Sequence, residues 1–494
     1  MALPRLSAPF ARLPRSLASA AGLATARFPI AAILVMVFSL VSNLEAEDFE
    51  LWPDWPRLLS ALAGAAASSV AMRVGAETRL RPTSLWLVVL PTAAAAIVGT
   101  VLWFGEPLAL YAPALLPAAL FAIPLAPFAG RGSGRQFWTF TLWAAVGVTL
   151  AFISVIVFAA GLTAILEMIR YLFDVGPDDD LYEHIWVTAV TLVGPLFALG
   201  RIPPISEEEL AFSRDDRLVT AVRQLFDWVA APLVLAAAAV LHLYALRILV
   251  TGEVPVGEIG WIVTFFTLLV LGLRIAIDPF LEMGARPARI FGRLWAAFLV
   301  VPLALLAYAA WLRIDAHGFT IDRYFLVLCG IAGALAIVVQ LWPRARGDIR
   351  ILAAIPTILL ALSVAGPWSA ANVVGRSQAA LIAAGFTDDG GSLAIDALEE
   401  ASRWALRSRI VELGEVQQLW RLAPMIAGDE ARSLALDSRG EDRADALAAA
   451  LGLSVPYSTP EGRRTLSTTR EREMAIDGYD VAVFARSVGV EEAS

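Results

Sequence analysis

Eleven apolar runs recur between residues 28 and 366, and this recurrence constrains the fold more than any motif does. They cover about 28–44, 57–73, 84–104, 108–128, 137–160, 184–200, 227–249, 259–277, 294–312, 324–342 and 350–366. A helix crosses the hydrocarbon of a bilayer in roughly 20 apolar residues. The chain is therefore expected to be an all-α polytopic membrane protein with about eleven transmembrane helices. The second run, short and rich in Ala, is the weakest of them. The fifth can extend to Leu166, longer than a bilayer needs, which implies a tilt or an emerging end. Composition agrees, with 58% hydrophobic and only 17% charged residues and a mean hydropathy of +0.69.

Loop charge orients the runs. Arg73, Arg79 and Arg81 follow the second, and Arg131 and Arg135 the fourth. Arg201, Arg214, Arg217 and Arg223 follow the sixth; Arg286, Arg289 and Arg293 the eighth; Arg344, Arg346 and Arg350 the tenth. The alternate loops carry Glu45, Glu47, Asp48 and Glu50, then Glu106, then Asp174, Asp178, Asp179, Asp180 and Glu183, then Glu253 and Glu258. The positive-inside rule places residues 1–27 in the cytoplasm of a cell with an inner membrane. Eleven crossings then leave the C-terminal segment outside. Arg5, Arg12, Arg15 and Arg27 precede the first run, which reads as an uncleaved span. A signal peptide or transit peptide is the alternative.

The membrane domain is expected over 28–366, an interfacial segment over 367–386 and a soluble acidic domain over 387–494. Gly366 and Pro367 end the last run, and Trp368 suits a membrane surface. From Pro367 onward there are 13 Arg against 20 Asp plus Glu, a net of −7. That excess argues against nucleic acid and against anionic lipid headgroups as partners of the tail. "TDDGG" (387–391) reads as a loop, and Leu393–Leu422 as one helix. Leu406, Ile410, Leu413, Val416 and Trp420 fall on one of its faces, as a domain core or a docking face for an envelope partner. A second helix is expected near 442–451, a connector at 456–464 and strands within 472–488, so the domain is either α+β or mostly helical.

The chemistry-bearing residues are sparse. All 38 basic residues are Arg, so lysine-dependent phosphate loops and Schiff bases are excluded. Cys329 is the single cysteine. No cofactor motif is present. Asp180 and His184 share a helix face in "DDDLYEH", but lack a convincing further metal ligand. His242, Tyr244 and Arg247 lie in the seventh run; Arg274 and Asp278 are four apart near the inner end of the eighth. No Asp or Glu is expected near the middle of any span, where ion-coupled transporters usually hold one.

Two stretches carry a resemblance. "WLRIDAHGFTIDRYFLV" joins the ninth and tenth runs, and "GPWSAANVVGRSQ" closes the eleventh. With the span layout, the chain resembles the bacterial membrane proteins of the domain of unknown function 4153 family. The recurring positions would be Arg313, Gly318, Thr320 and Arg323, then Gly366, Pro367, Trp368, Ser369, Ser377 and Gln378. This chain has His317 where Tyr is expected. The resemblance implies a topology and no mechanism. Gly318 permits a tight hairpin, and Arg313 and Arg323 either pair with Asp315 and Asp322, anchor at the interface, or bind lipid phosphate.

Three functions fit. The first is a non-enzymatic membrane protein, embedded in the lipid bilayer, whose outer domain senses or binds an envelope partner. The second is a permease or lipid carrier using His242, Arg274 and Arg313. The third is an enzyme on lipid-linked substrates using Asp178 or Glu183.

Overall fold

Each apolar run forms a helix in the computed structural model, which describes residues 22, 25–47, 54–174, 176, 179–205, 217–252, 259–436 and 443–453. The first five are α1 (Pro29–Ala46), α2 (Trp55–Glu77), α3 (Trp86–Phe104), α4 (Leu108–Leu125) and α5 (Gly134–Phe173). The sixth crossing is α6 (Asp179–Thr188), a π turn (Ala189–Val193) and α7 (Gly194–Leu199). The seventh is α8 (Arg217–Leu225), a π turn (Phe226–Ala230) and α9 (Ala231–Thr251). Then follow α10 (Ile259–Ala276), α11 (Arg286–His317), α12 (Ile321–Leu341) and α13 (Ile349–Leu362). Ten crossings are long and apolar enough to span a membrane. The eleventh, α13, has 14 residues and rises about 21 Å. It is continued by a tight turn in which Ala370 N–H donates to the Ser363 carbonyl (2.8 Å).

The seventh helix starts at Arg217, ahead of its apolar run, and so takes Asp227 inside it. This carboxylate is 3% exposed, in a π turn, and accepts from Arg223 Nε at 3.3 Å. A buried acid within a helical crossing was not expected from hydropathy, which sees only where the apolar stretch begins.

Burial explains the weakest run. Half of α2's apolar window is buried, against 17% for α5. A helix surrounded by other helices does not need a lipid-soluble surface, and small residues let neighbours close in. A Cβ on Gly64 would lie 2.3 Å from Leu102 Cδ1, and one on Gly99 3.3 Å from Ala65 Cβ. The α9–α13 side has its own core around Phe291, Trp295 and Leu299.

The hydrogen bonds between loops separate two ends. At one, Arg27 pairs with Glu77 (2.9 Å) and donates to the Ile202 carbonyl (2.7 Å). Arg79 donates to the Ala126 and Ala129 carbonyls, and Arg131 to that of Thr78. Arg350 chelates Asp348 and donates to the carbonyls of Arg131 and Gly132. This is the arginine-rich end. At the other, Arg57 donates to the Trp103 carbonyl (3.1 Å), and His184 Nδ1 lies 3.0 Å from Asn43 Oδ1. The α11–α12 hairpin is also there, and α14, the first helix after α13, docks on it.

That C-terminal part is helical among the described residues, with one isolated Thr387–Leu393 bridge. It comprises α14 (Ala370–Gly385), α15 (Glu400–Glu415), a 3-10 segment (Leu419–Met425), α16 (Asp429–Leu436) and α17 (Arg443–Ala450). Ile382, Leu406, Ile410, Leu413, Leu422 and Leu447 form its core. The single helix expected over Leu393–Leu422 is broken. Gln417 adopts φ +56°, and Gln418 N–H bonds back to the Leu413 carbonyl (2.8 Å), a left-handed helix end built without glycine. The break rotates Trp420 off the buried stripe and exposes it. The connector at 456–464 and the strands at 472–488 lie outside the described residues.

Candidate functional site at the hairpin end

The α11–α12 hairpin turns on Gly318, at φ +74°. Its N–H closes α11 onto the Ile314 carbonyl (2.8 Å), and Thr320 Oγ1 caps α12 by accepting from Arg323 N–H (3.4 Å). A Cβ on Gly318 would lie 2.6 Å from Leu381 Cδ1 and 2.9 Å from Ser377 Oγ. Glycine is thus required twice, by the left-handed backbone and by the approach of α14.

The helix α14 reads this turn atom by atom. Ser377 Oγ accepts from Phe319 N–H (3.0 Å). Gln378 Nε2 donates to the carbonyls of His317 (3.1 Å) and Phe319 (2.7 Å). Gln378 Oε1 accepts from Arg409 Nη1 on α15 (3.0 Å), and the same nitrogen reaches the His317 carbonyl (3.3 Å). Arg323 Nη1 donates to the Gly318 carbonyl (2.7 Å). Three successive carbonyls left open at a helix end are thereby satisfied, two by guanidinium groups suited to the negative end of the helix dipole. Gln378 is 1% exposed, so an unpaired amide there would be costly.

Two turns back, Ser369 Oγ caps α14 by accepting from Asn372 N–H (3.4 Å). Tyr324 OH donates to the Trp368 carbonyl (2.9 Å), tying the end of α13 to α12. Around the latch, burial and then the Arg323 charge pull the Arg409 guanidinium below its ordinary pKa. Burial first, then Glu415, pushes the Glu412 carboxyl above its ordinary value, with Arg323 opposing.

The nine candidate residues fall in three places. Arg313, His317, Arg323, Trp368 and Ser369 gather at the hairpin end, although His317 contributes its carbonyl and Trp368 leaves its indole 56% exposed. Arg323 caps the Gly318 carbonyl rather than pairing with Asp322. Arg274 and Asp278 form their ion pair (2.7 Å) at the arginine-rich end; Arg274 is 4% exposed, and its Nε is buried without a partner among the described residues. His242 Nδ1 lies 2.7 Å from the Ala238 carbonyl of its own helix, and its ring is edge-on to Phe298. Arg247 is exposed on α9. His184 meets Asn43 and, at 3.3 Å, Glu47; among the described residues no group of three metal-ligating side chains forms around it, and Asp178 lies outside the described residues.

The sequence reading did not nominate Arg409, Asn372 or the buried Asp227. Gln378 entered only through the family pattern. Its signal was a long amide on the buried face of an otherwise small and apolar helix, "GRSQAALIAAGF".

Residues 30–406 match the family described as Domain of unknown function (DUF4153), and the chain belongs to it. No curated protein and no solved structure matches the chain.

Proposed function

We propose that this DUF4153 protein is a non-enzymatic component of a bacterial inner membrane that binds or senses an envelope partner through its C-terminal domain. The arginine-rich end faces the cytoplasm and the hairpin end faces outward, as the positive-inside rule requires. The observation that carries the reading is the Gln378 latch. It joins the C-terminal domain to the turn between two crossings through buried, directional bonds. A domain fixed in this way passes force or a change of population to the bundle, which a domain on a free linker cannot do.

The acidic character of the segment favours a partner with a basic or apolar contact surface. Two measurements test the reading. An impermeant thiol reagent on intact cells, in a Cys329→Ala background, should label Ser408→Cys and leave Arg344→Cys unlabelled; the reverse pattern overturns the orientation. A photo-crosslinker at Trp404, exposed on α15, should capture one discrete envelope protein in cells. Its replacement by no adduct at any exposed position of α15–α17 would overturn partner binding.

A further inference from the structure

Beside the latch, four side chains that it does not use lie along one chain of contacts, with Trp368, Arg376 and Trp420 exposed and Arg421 half-buried. Trp368 lies on the turn that follows α13, folded over Gly366; a Cβ there would stand 3.3 Å from Trp368 Cε2. Arg376 on α14 donates to the Pro367 carbonyl and is otherwise exposed. Asn372 Nδ2 donates to the Gly366 carbonyl (3.0 Å), and its Oδ1 accepts from Arg421 Nη2 (2.9 Å). The Arg421 guanidinium stands 4.5 Å from the ring centroid of Trp420, which is 45% exposed. Gly375 makes this closeness possible, because a Cβ there would sit 2.8 Å from Gln418 Cγ and 3.0 Å from Arg421 Nε. The chain of contacts runs unbroken from the end of the last crossing to the 3-10 segment of the C-terminal domain.

We infer that Trp368, Arg376, Trp420 and Arg421 are a foot by which the C-terminal domain stands on the membrane, binding the phosphates of lipid headgroups. Continuity is the first reason: α13 ends at Leu362, so the foot begins within a few residues of the hydrocarbon edge. Chemistry is the second. Indole rings, half apolar and half polar, settle in the headgroup layer, and guanidinium groups bind phosphate in two-point fashion. Charge is the third. The segment from Pro367 carries a net of −7 and would be repelled by an anionic leaflet, yet its surface nearest the last crossing presents two arginines and two tryptophans. The composition of the tail argued against anionic headgroups as a whole; the fold collects local positive charge where the domain meets them.

The test places p-benzoyl-phenylalanine at position 420 of the full-length protein in nanodiscs of phosphatidylcholine and phosphatidylglycerol. Trp311, exposed on a crossing, is the positive control, and Leu436, exposed on α16, the negative one. Lipid adducts at 420 and 311 but not at 436 are expected. Adducts at 311 alone, or a crosslink from 420 to a second copy of the chain, would overturn the foot. In the same discs Arg376→Gln and Arg421→Gln should each weaken the preference for phosphatidylglycerol roughly five-fold; an unchanged preference in both overturns the phosphate role. Inorganic phosphate added to the detergent-solubilised protein should not reproduce the stabilisation by phosphatidylglycerol. If it does, the patch binds a free anion and the lipid assignment falls.

Discussion

The two ends of the bundle are closed by different chemistry. At the arginine-rich end, long cationic side chains lie across loop carbonyls near water: Arg79 on Ala126 and Ala129, Arg350 on Arg131 and Gly132, Arg27 on Ile202. At the hairpin end a neutral amide does the central work from a buried position, helped by one serine, by the Arg323 and Arg409 guanidinium groups and by a glycine that lets α14 approach. The first kind of closure adapts and is screened by salt. The second is selective, because a buried amide tolerates only the arrangement that satisfies it. A salt-sensitive, arginine-rich end and a fixed junction at the hairpin end are what a protein needs if its C-terminal domain is to act on its crossings.

The contrast can be broken most severely at Gly318. Gly318→Val demands a left-handed backbone from a β-branched residue and drives a side chain into Leu381, at a cost of about 3 kcal/mol or more. Thermal unfolding in nanodiscs should show the loss, and limited proteolysis should cut within 387–453 while the arginine-rich loops stay protected. Equal cleavage at both ends would erase the distinction. Gln378→Leu, of similar size, strands the Phe319 carbonyl, leaves that of His317 to Arg409 alone and takes an acceptor from Arg409, and should cost about 2–3 kcal/mol. Hydrogen exchange should quicken in α14 and α15 only.

A smaller effect is expected at the other end. Arg350→Ala removes a half-exposed chelate of Asp348 and should cost about 1 kcal/mol. Its cost should shrink in high salt, whereas that of Gln378→Leu should not. Equal salt dependence would contradict the contrast.

Acid should act with opposite signs. Arg350 holds the Asp348 carboxyl below its ordinary value of 3.8, mainly through its side-chain hydrogen bond. A depressed acid stabilises the fold above its unfolded value and loses that contribution as pH falls through the folded one. Burial holds Glu412 above its ordinary value of 4.5. A raised acid penalises the fold while it is charged, and the penalty disappears as pH falls through the raised value to 4.5. Acidification towards 4.5 should therefore firm the docked domain, whereas the Asp348 contribution at the arginine-rich end is lost below 3.8. Glu412→Gln should abolish the first response and leave the second, as read by exchange rates corrected for pH.

Much of this was legible in the sequence because span length and loop charge are properties of a stretch, readable without knowing what it touches. All eleven runs became helices, and Arg274 found Asp278 at the expected spacing. What escaped was set by contacts distant in sequence. Asp227 is hidden because it stands at the edge of its apolar run, and only the fold shows the helix continuing back to Arg217 and burying it. The break at Gln417 is hidden because apolar periodicity continues across it while the backbone turns left-handed at a residue that is not glycine. The family pattern held Gly318, Ser377 and Gln378 in two separate stretches, and only the fold shows that they are donor, acceptor and clearance in one junction.

The claim that the C-terminal domain and the hairpin form one body is most directly tested by a distance. Spin labels at Ala316→Cys, exposed in the last turn of α11, and Ser408→Cys, exposed on α15, in a Cys329→Ala background, report it by double electron–electron resonance in nanodiscs. A single narrow distribution is expected, broadening in Gln378→Leu. A broad distribution with Gln378 intact would contradict the latch and, with it, the coupling of the domain to the membrane helices.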